Sequence, residues 1–312
     1  MQIELPRGVR VGHHTDLDAW TGCTVVLLPE GTVAAAEVRG GGPGTRESEL
    51  LTPSANAAGV DAVLLTGGSA FGLSAAHGVM EHLAAQGIGY AIPGGPVPLV
   101  FAAVVYDLPL GDGAVRPTPA DAVAACEAAG TEVRRGSIGV GTGCTVGKLR
   151  GPAGWTKGGL GAATLRVGGA TITALAAVNA FGDVLGADGS VAAGVWTGEG
   201  YERTTDLLRA GEWPLRAALR ENTTLVCVLT DARLDKREAW LVARAGSGGV
   251  ARAVAPSATA ADGDLVVCCA TGEVEVDPFV VSALVPEVIA DAVRDAVASA
   301  TGAPGCPAAS ER

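Results

Sequence analysis

Aromatic rings and imidazoles are scarce in this sequence of 312 residues, which holds Trp 5, Tyr 3, Phe 4 and His 4. A core with few rings must be filled by Ala, Val and Leu, with backbones approaching closely at Gly. There are 46 Gly, which implies many tight turns and thin, closely spaced layers. Basic residues are outnumbered, 22 against 33 acidic ones, and the net charge of −11 disfavours a polyanionic partner such as nucleic acid. Long hydrophobic runs are missing. The most apolar window, VPLVFAAVVYDLPL (97–110), is too short and too Pro-bounded to span a membrane. The start, MQIELPRGVRVG, lacks a cationic stretch followed by an apolar one, so no signal peptide is expected. The 7 cysteines show no CxxC spacing, and reduced thiols buried mostly in strands of a cytoplasmic protein are the expectation.

The shortage of His narrows the chemistry. His13 and His14 are adjacent and would point apart in a strand, while His77 and His82 are misaligned on a helix and lack the HExxH pattern. No metal and no cofactor are expected, and a Ser-His-Asp triad has no base in a supportive context. Other signatures miss as well. GTGCTVGKL (141–149) has Thr142 where a phosphate loop needs its first Gly, and Leu149 where it needs Ser or Thr. GGSAF (67–71) and AGSGG (245–249) each lack one glycine of the GxSxG elbow. A hydrolase with no usable His can take its base from an α-amine on the nucleophile itself. Such an amine has a pKa of about 7.7–8.0, so much of it is neutral at physiological pH.

Strand-like apolar runs fall at 21–29, 32–38, 61–65, 97–105, 161–167, 170–180, 223–230 and 264–270. Most are continuous rather than alternating, as in strands covered on both faces. Helices are predicted at 69–87, at 118–130 with Thr118 as cap and Pro119 in the first turn, from Asp235 through Trp240, and on the stripe Val285, Ile289, Val293 and Val297. No linker divides the chain, so 1–312 reads as a single layered α/β domain, with 301–312 as a flexible tail.

One strand opens unusually. Residues 221–230 read ENTTLVCVLT, placing Asn222, Thr223 and Thr224 at the mouth of an apolar run. Turn chemistry accounts for this, and so does a nucleophilic Thr223 whose amine is freed by cleavage. The segments VGHHTD (11–16), TGCTVVL (21–27), EVRGGGPGTRESELL (37–51), LTGGSAFGL (65–73), KGGLG (157–161), VNAFGDV (178–184), NTTLVCVLTDARL (222–234) and DGDLVVCCATG (262–272) resemble, in order, those of the P1 peptidase family. That family contains the L-aminopeptidase/D-esterase and the nylon-oligomer hydrolases.

The resemblance implies an αββα sandwich of the N-terminal-nucleophile type and a tetramer of αβ units. It also implies a self-made cut between Asn222 and Thr223, giving an α chain 1–222 and a β chain 223–312. It places Lys157 beside the freed amine, Asn179 as donor to the oxyanion, and Asp262 and Asp264 at the Thr223 ammonium and hydroxyl or at Lys157. Tyr106 is a weaker candidate for a second donor to the substrate carbonyl. Each has an ordinary alternative: a surface Lys, a strand-end Asn, an Asp-Gly turn, a core Tyr. Members favouring β-amino peptides carry Ser and Glu at the two aspartate positions, so this chain resembles the nylon-oligomer branch more. With no Arg in KGGLG, VNAFGDV, ENTT or ADGDLVV to clamp a carboxylate, substrates with a free ammonium are expected: small amides, short peptides or ω-amino-acid oligomers. An acyltransferase of the ornithine-acetyltransferase type and a non-catalytic Gly-rich binding module are the alternatives.

Overall fold

A computed structural model describes residues 3–213 and 222–312. The last residues of the expected α chain before Asn222, 214–221, lie outside the described residues.

Two five-stranded mixed sheets stack face to face. The first is built from β1 (Arg10–Asp16), β2 (Thr21–Leu27), β4 (Thr45–Arg46), β5 (Ala62–Thr66) and β6 (Val100–Val104), in the order β1-β2-β5-β6-β4. The second contains β3 (Val33–Val38), β7 (Gly159–Val167), β8 (Ala170–Asn179), β9 (Thr223–Ala232) and β10 (Leu265–Val274), in the order β3-β10-β9-β8-β7. Each sheet holds one parallel pair, β5 with β6 and β9 with β10, and a helix-bearing crossover joins each pair.

The period of two along each strand assigns the layers. On β9, Leu225, Cys227 and Leu229 pack between the sheets with Val63, Leu65 and Phe101. Val226 and Val228 point the other way, into α3 (Lys236–Ala253) and α4 (Pro278–Ala298), where they meet Val242 and Ile289. The outer face of the first sheet is covered by α1 (Ala76–Ala84) and α2 (Pro119–Glu127) through Val79, Leu83 and Ala122. The result is the expected αββα sandwich, with strands buried on both faces.

Local chemistry sets the helix ends. Thr118 and Asp121 form a reciprocal capping box on α2, and Asp235 and Glu238 do the same on α3. The helix predicted over 69–87 instead begins with a 3-10 turn, Ser69–Ala75, and becomes α-helical only at Ala76. Gly78 explains how closely α1 approaches α2, because a Cβ there would lie 2.0 Å from the Pro119 carbonyl oxygen.

The segment 301–312, expected to be a flexible tail, is packed in the structure. Cys306 and Ala308 are buried with Trp155 nearby, the Lys157 N–H donates to the Pro307 carbonyl, and Arg312 stacks over the Trp196 ring. Its small apolar residues cover a tryptophan that would otherwise be exposed. The seven cysteines are free and buried, and four of them, Cys23, Cys227, Cys268 and Cys269, lie in strands. No helix among the described residues is long and apolar enough to cross a membrane.

Candidate active site

Strand pairing brings together residues far apart in sequence. β8 ends where β9 begins, and the antiparallel register puts Asn179 opposite Thr223. Both are odd-numbered on strands whose odd positions face the space between the sheets, so the alternation that buries Leu225 also turns Thr223 inward. Thr224 is on the helix side, with Val226 and Val228.

Thr223 is only 6% exposed. Its Oγ1 donates a hydrogen bond of 2.5 Å to the carbonyl oxygen of Asn222, the residue before it. The same oxygen accepts the Gly263 N–H at 2.8 Å. Asn222 and Asp262 form a one-residue parallel bridge extending the β9–β10 pairing upstream. One carbonyl at the head of a buried strand therefore meets a hydroxyl and a backbone donor together.

Asn179 is fully buried, and its amide is held from both ends. Nδ2 donates to the Tyr106 carbonyl at 2.9 Å, while Oδ1 accepts from the Thr145 N–H at 3.0 Å and from Lys148 Nζ at 2.9 Å. Lys148 Nζ also donates to the Asn179 carbonyl at 3.1 Å. Lys148 was missed in the sequence, where GKL counted only as a failed phosphate loop. Its signal is chemical: a lysine 2% exposed must satisfy its ammonium from buried acceptors. Tyr106 reaches Asn179 through its carbonyl, a contact that no side-chain reasoning foresees.

Lys157 differs from the expectation. Its Nζ donates three hydrogen bonds of 2.9 Å, to the carbonyls of Gly141, Cys144 and Gly158, and these use all three ammonium protons. No hydrogen bond or ion pair among the described residues joins it to Thr223, Asp262 or Asp264. Burial pushes its pKa down to about 8.

The acidic pair is also turned towards backbone. Asp262, 1% exposed, accepts the Thr259 N–H. Asp264, 4% exposed, accepts the Thr224 N–H at 2.6 Å and the Ala258 N–H at 2.8 Å. Burial, reinforced by the Asp262 charge, pushes Asp264 up to about 7. A folded carboxyl held above its ordinary value of 3.8 binds its proton more tightly than the unfolded chain does. Its contribution to stability is therefore complete below about pH 4 and is lost as pH rises through about 7. The Asp264→Asn variant is expected to remove up to about 1.4 kcal/mol per pH unit, one proton's worth, from the decline in stability across that window. Urea melts of the Thr223→Ala chain with and without Asp264→Asn measure the difference. Parallel curves would contradict it.

The histidines stay out of this chemistry. His13 bonds Thr24 Oγ1 at 3.0 Å, and burial followed by the Arg134 charge pushes it down to about 4, so it is neutral at physiological pH. Among the described residues no group of three His, Cys, Asp or Glu is placed to hold a metal ion.

The model of peptidase family S58 matches residues 6–304. An uncharacterised aminopeptidase of Mycobacterium bovis is 40% identical over 310 residues, covering 90% of this chain and 85% of that protein. A 6-aminohexanoate-oligomer endohydrolase of Kocuria sp. is 28% identical over 95% of this chain and 85% of its own length. Among solved structures, a β-aminopeptidase of Burkholderia sp. superposes with a TM-score of 0.73 at 21% identity, covering 97% of this chain and 88% of that one. The L-aminopeptidase D-Ala-esterase/amidase of Ochrobactrum anthropi, described as a variant of the Ntn-hydrolase fold, gives 0.72 at 20% identity over 98% and 91%. At such identities these two structures speak for the fold. The family model and the aminopeptidase relatives speak for the chemistry. The chain belongs to peptidase family S58 and is a hydrolase of amide or peptide bonds.

Proposed function

We propose that this hydrolase cuts its own Asn222–Thr223 bond and then uses Thr223 as both nucleophile and base. The observation that carries the reading is the Thr223 Oγ1 hydroxyl held 2.5 Å from the oxygen of the peptide carbonyl it would attack. Oγ bonds to the Asn222 carbonyl carbon, the C–N bond breaks, and the hydroxyl proton passes to the departing Thr223 nitrogen. Water then splits the resulting ester, returning the hydroxyl and leaving the Asn222 carboxylate. The freed amine, with a pKa of about 7.7–8.0 before local shifts, is the base for later turnovers. In those, Thr223 accepts the acyl group of a substrate amide and water removes it.

The fold suits such a cut. β9 pairs with β8 on one side and β10 pairs with β3 on the other, so the two sheet strands of the β chain 223–312 would stay hydrogen-bonded between strands of the α chain 1–222. The two fragments are expected to co-elute in gel filtration and to separate only in denaturant. Separation under native conditions would contradict this placement.

Asn179 is the donor to the oxyanion in substrate turnover, positioned by Thr145, Lys148 and the Tyr106 carbonyl. Lys157 acts through the 141–145 turn, whose Thr145 N–H holds Asn179. With their carboxylates engaged by backbone N–H groups, Asp262 and Asp264 shape the loop before β10, which removes the basis for expecting them to read a substrate ammonium.

The substrate class is small amides, short peptides or linear ω-amino-acid oligomers, since a nucleophile 6% exposed excludes folded protein. Working αβ units assemble into tetramers, and the buried reduced thiols suit the cytoplasm. Aminoacyl p-nitroanilides, linear 6-aminohexanoate oligomers and casein form the test panel. Turnover of a small amide with no casein digestion is expected, and rapid casein digestion would contradict the small-substrate reading. Acyl transfer to an amine in preference to water would instead place the chain with the ornithine-acetyltransferase type.

A further inference from the structure

The geometry points to the backbone N–H of Gly263 as the oxyanion donor of the self-cleavage step, a role that rests on the self-cleavage reading above. When Thr223 Oγ bonds to the Asn222 carbonyl carbon, the carbonyl oxygen takes up negative charge. The Oγ1 hydroxyl that now donates to that oxygen gives up its proton in the step and cannot stay as a donor. The Gly263 N–H can. It stands 2.8 Å from the oxygen before reaction, within the distance such donors keep from a developing oxyanion.

The donor belongs to a loop fixed on several sides. Gly42 N–H donates to the Asp262 carbonyl, Gly41 N–H to the Thr259 carbonyl, and Arg39 and Gly40 N–H both to the Asp264 carbonyl. The Asp264 carboxylate reaches across to the Thr224 N–H, tying the donor loop to the residue after the nucleophile. The Asp262 carboxylate closes the same loop on Thr259. The two aspartates flanking Gly263 are thus positioning residues for the N–H between them, which gives the Asp-Gly-Asp triplet a single purpose. A donor held in place beforehand needs no reorganisation at the moment charge appears, and this is the source of its catalytic value.

The residue type follows from the same crowding. A Cβ at position 263 would lie 2.9 Å from Thr223 Oγ1 and 3.0 Å from the Gly42 carbonyl oxygen. Any side chain would press on the attacking hydroxyl, so only glycine can present its N–H here without displacing the nucleophile. The glycine-rich 40–44 segment supports this from the other side: at Gly40 a Cβ would be 2.0 Å from the Asp262 carbonyl oxygen.

The most direct test deletes the donor and otherwise only weakens the Asp262 carbonyl as acceptor of the Gly42 N–H. Glycolic acid incorporated at position 263 by cell-free translation replaces the N–H with an ester oxygen and adds no side chain. Intact mass followed over time should show self-cleavage slowed by about 10²-fold or more. A matching ester at Ala261, whose N–H bonds Thr259 Oγ1 and not the scissile carbonyl, should cleave at close to the parental rate. Gly263→Ala, checked for folding by circular dichroism, keeps the N–H and should also accumulate as uncut chain, because its methyl group presses on the attacking hydroxyl. Cleavage of the glycolate chain at the parental rate would overturn the assignment of Gly263 while leaving Thr223 as nucleophile. If the parental chain never cleaves, or Thr223→Ala cleaves as it does, the self-cleavage reading itself has failed.

Discussion

Thr223→Ala is expected to yield one folded, full-length chain with no amidase activity. The methyl side chain leaves nothing to attack the Asn222 carbonyl, so the 222–223 bond persists and the α-amine that would serve as base is never released. Loss of one function therefore removes two, and residual turnover should be indistinguishable from background. The fold should survive, because the buried partners of β9 come from Leu225, Cys227 and Leu229 on one face and Val226 and Val228 on the other, none of which changes. Intact mass and an amide assay on the same sample decide it. A variant still split at that bond would show that the nucleophile lies elsewhere.

The second large effect is expected at Asn179 and its lysine. Asn179→Ala removes the proposed side-chain donor to the substrate's oxyanion and should lower turnover by about 10²–10³-fold. Lys148→Met leaves the amide in place but removes the ammonium bonded to its Oδ1 and to its own carbonyl, and should lower turnover by about 10²-fold through misplacement of the donor. Lys157→Met separates the roles of the two lysines. It strips donors from three buried carbonyls, so it should appear chiefly as a loss of about 3 kcal/mol of stability. A Lys157→Met protein of normal stability and abolished turnover would instead return that residue to the side of the Thr223 amine.

Much of this could be read without coordinates because it depends on local period and order. Continuous apolar runs gave strands covered on both faces, and the ordered motifs gave the family. The odd-numbered spacing of Thr223, Leu225, Cys227 and Leu229 is itself enough to put the hydroxyl on one strand face with three core residues. The contacts that finish the site are of another kind. The Gly263 N–H, the Tyr106 carbonyl and the carbonyls around Lys157 are backbone groups, identical in every residue, and only tertiary structure decides which of them meet. Lys148 and Lys157 illustrate the point. The sequence shows two lysines among glycines, whereas register and turn geometry aim one at Asn179 and the other into a cage of carbonyls. Residues 301–312 look like a tail by composition, and what they cover, Trp155, lies far away in sequence.

The central claim is that Thr223 becomes an N-terminus by the chain's own chemistry. The freshly purified protein, taken into denaturant for intact mass and N-terminal sequencing, tests it most directly. The account predicts two fragments, 1–222 and 223–312, the smaller beginning Thr-Thr-Leu-Val-Cys, formed without added protease. A single uncut chain that nevertheless hydrolyses amides would contradict it.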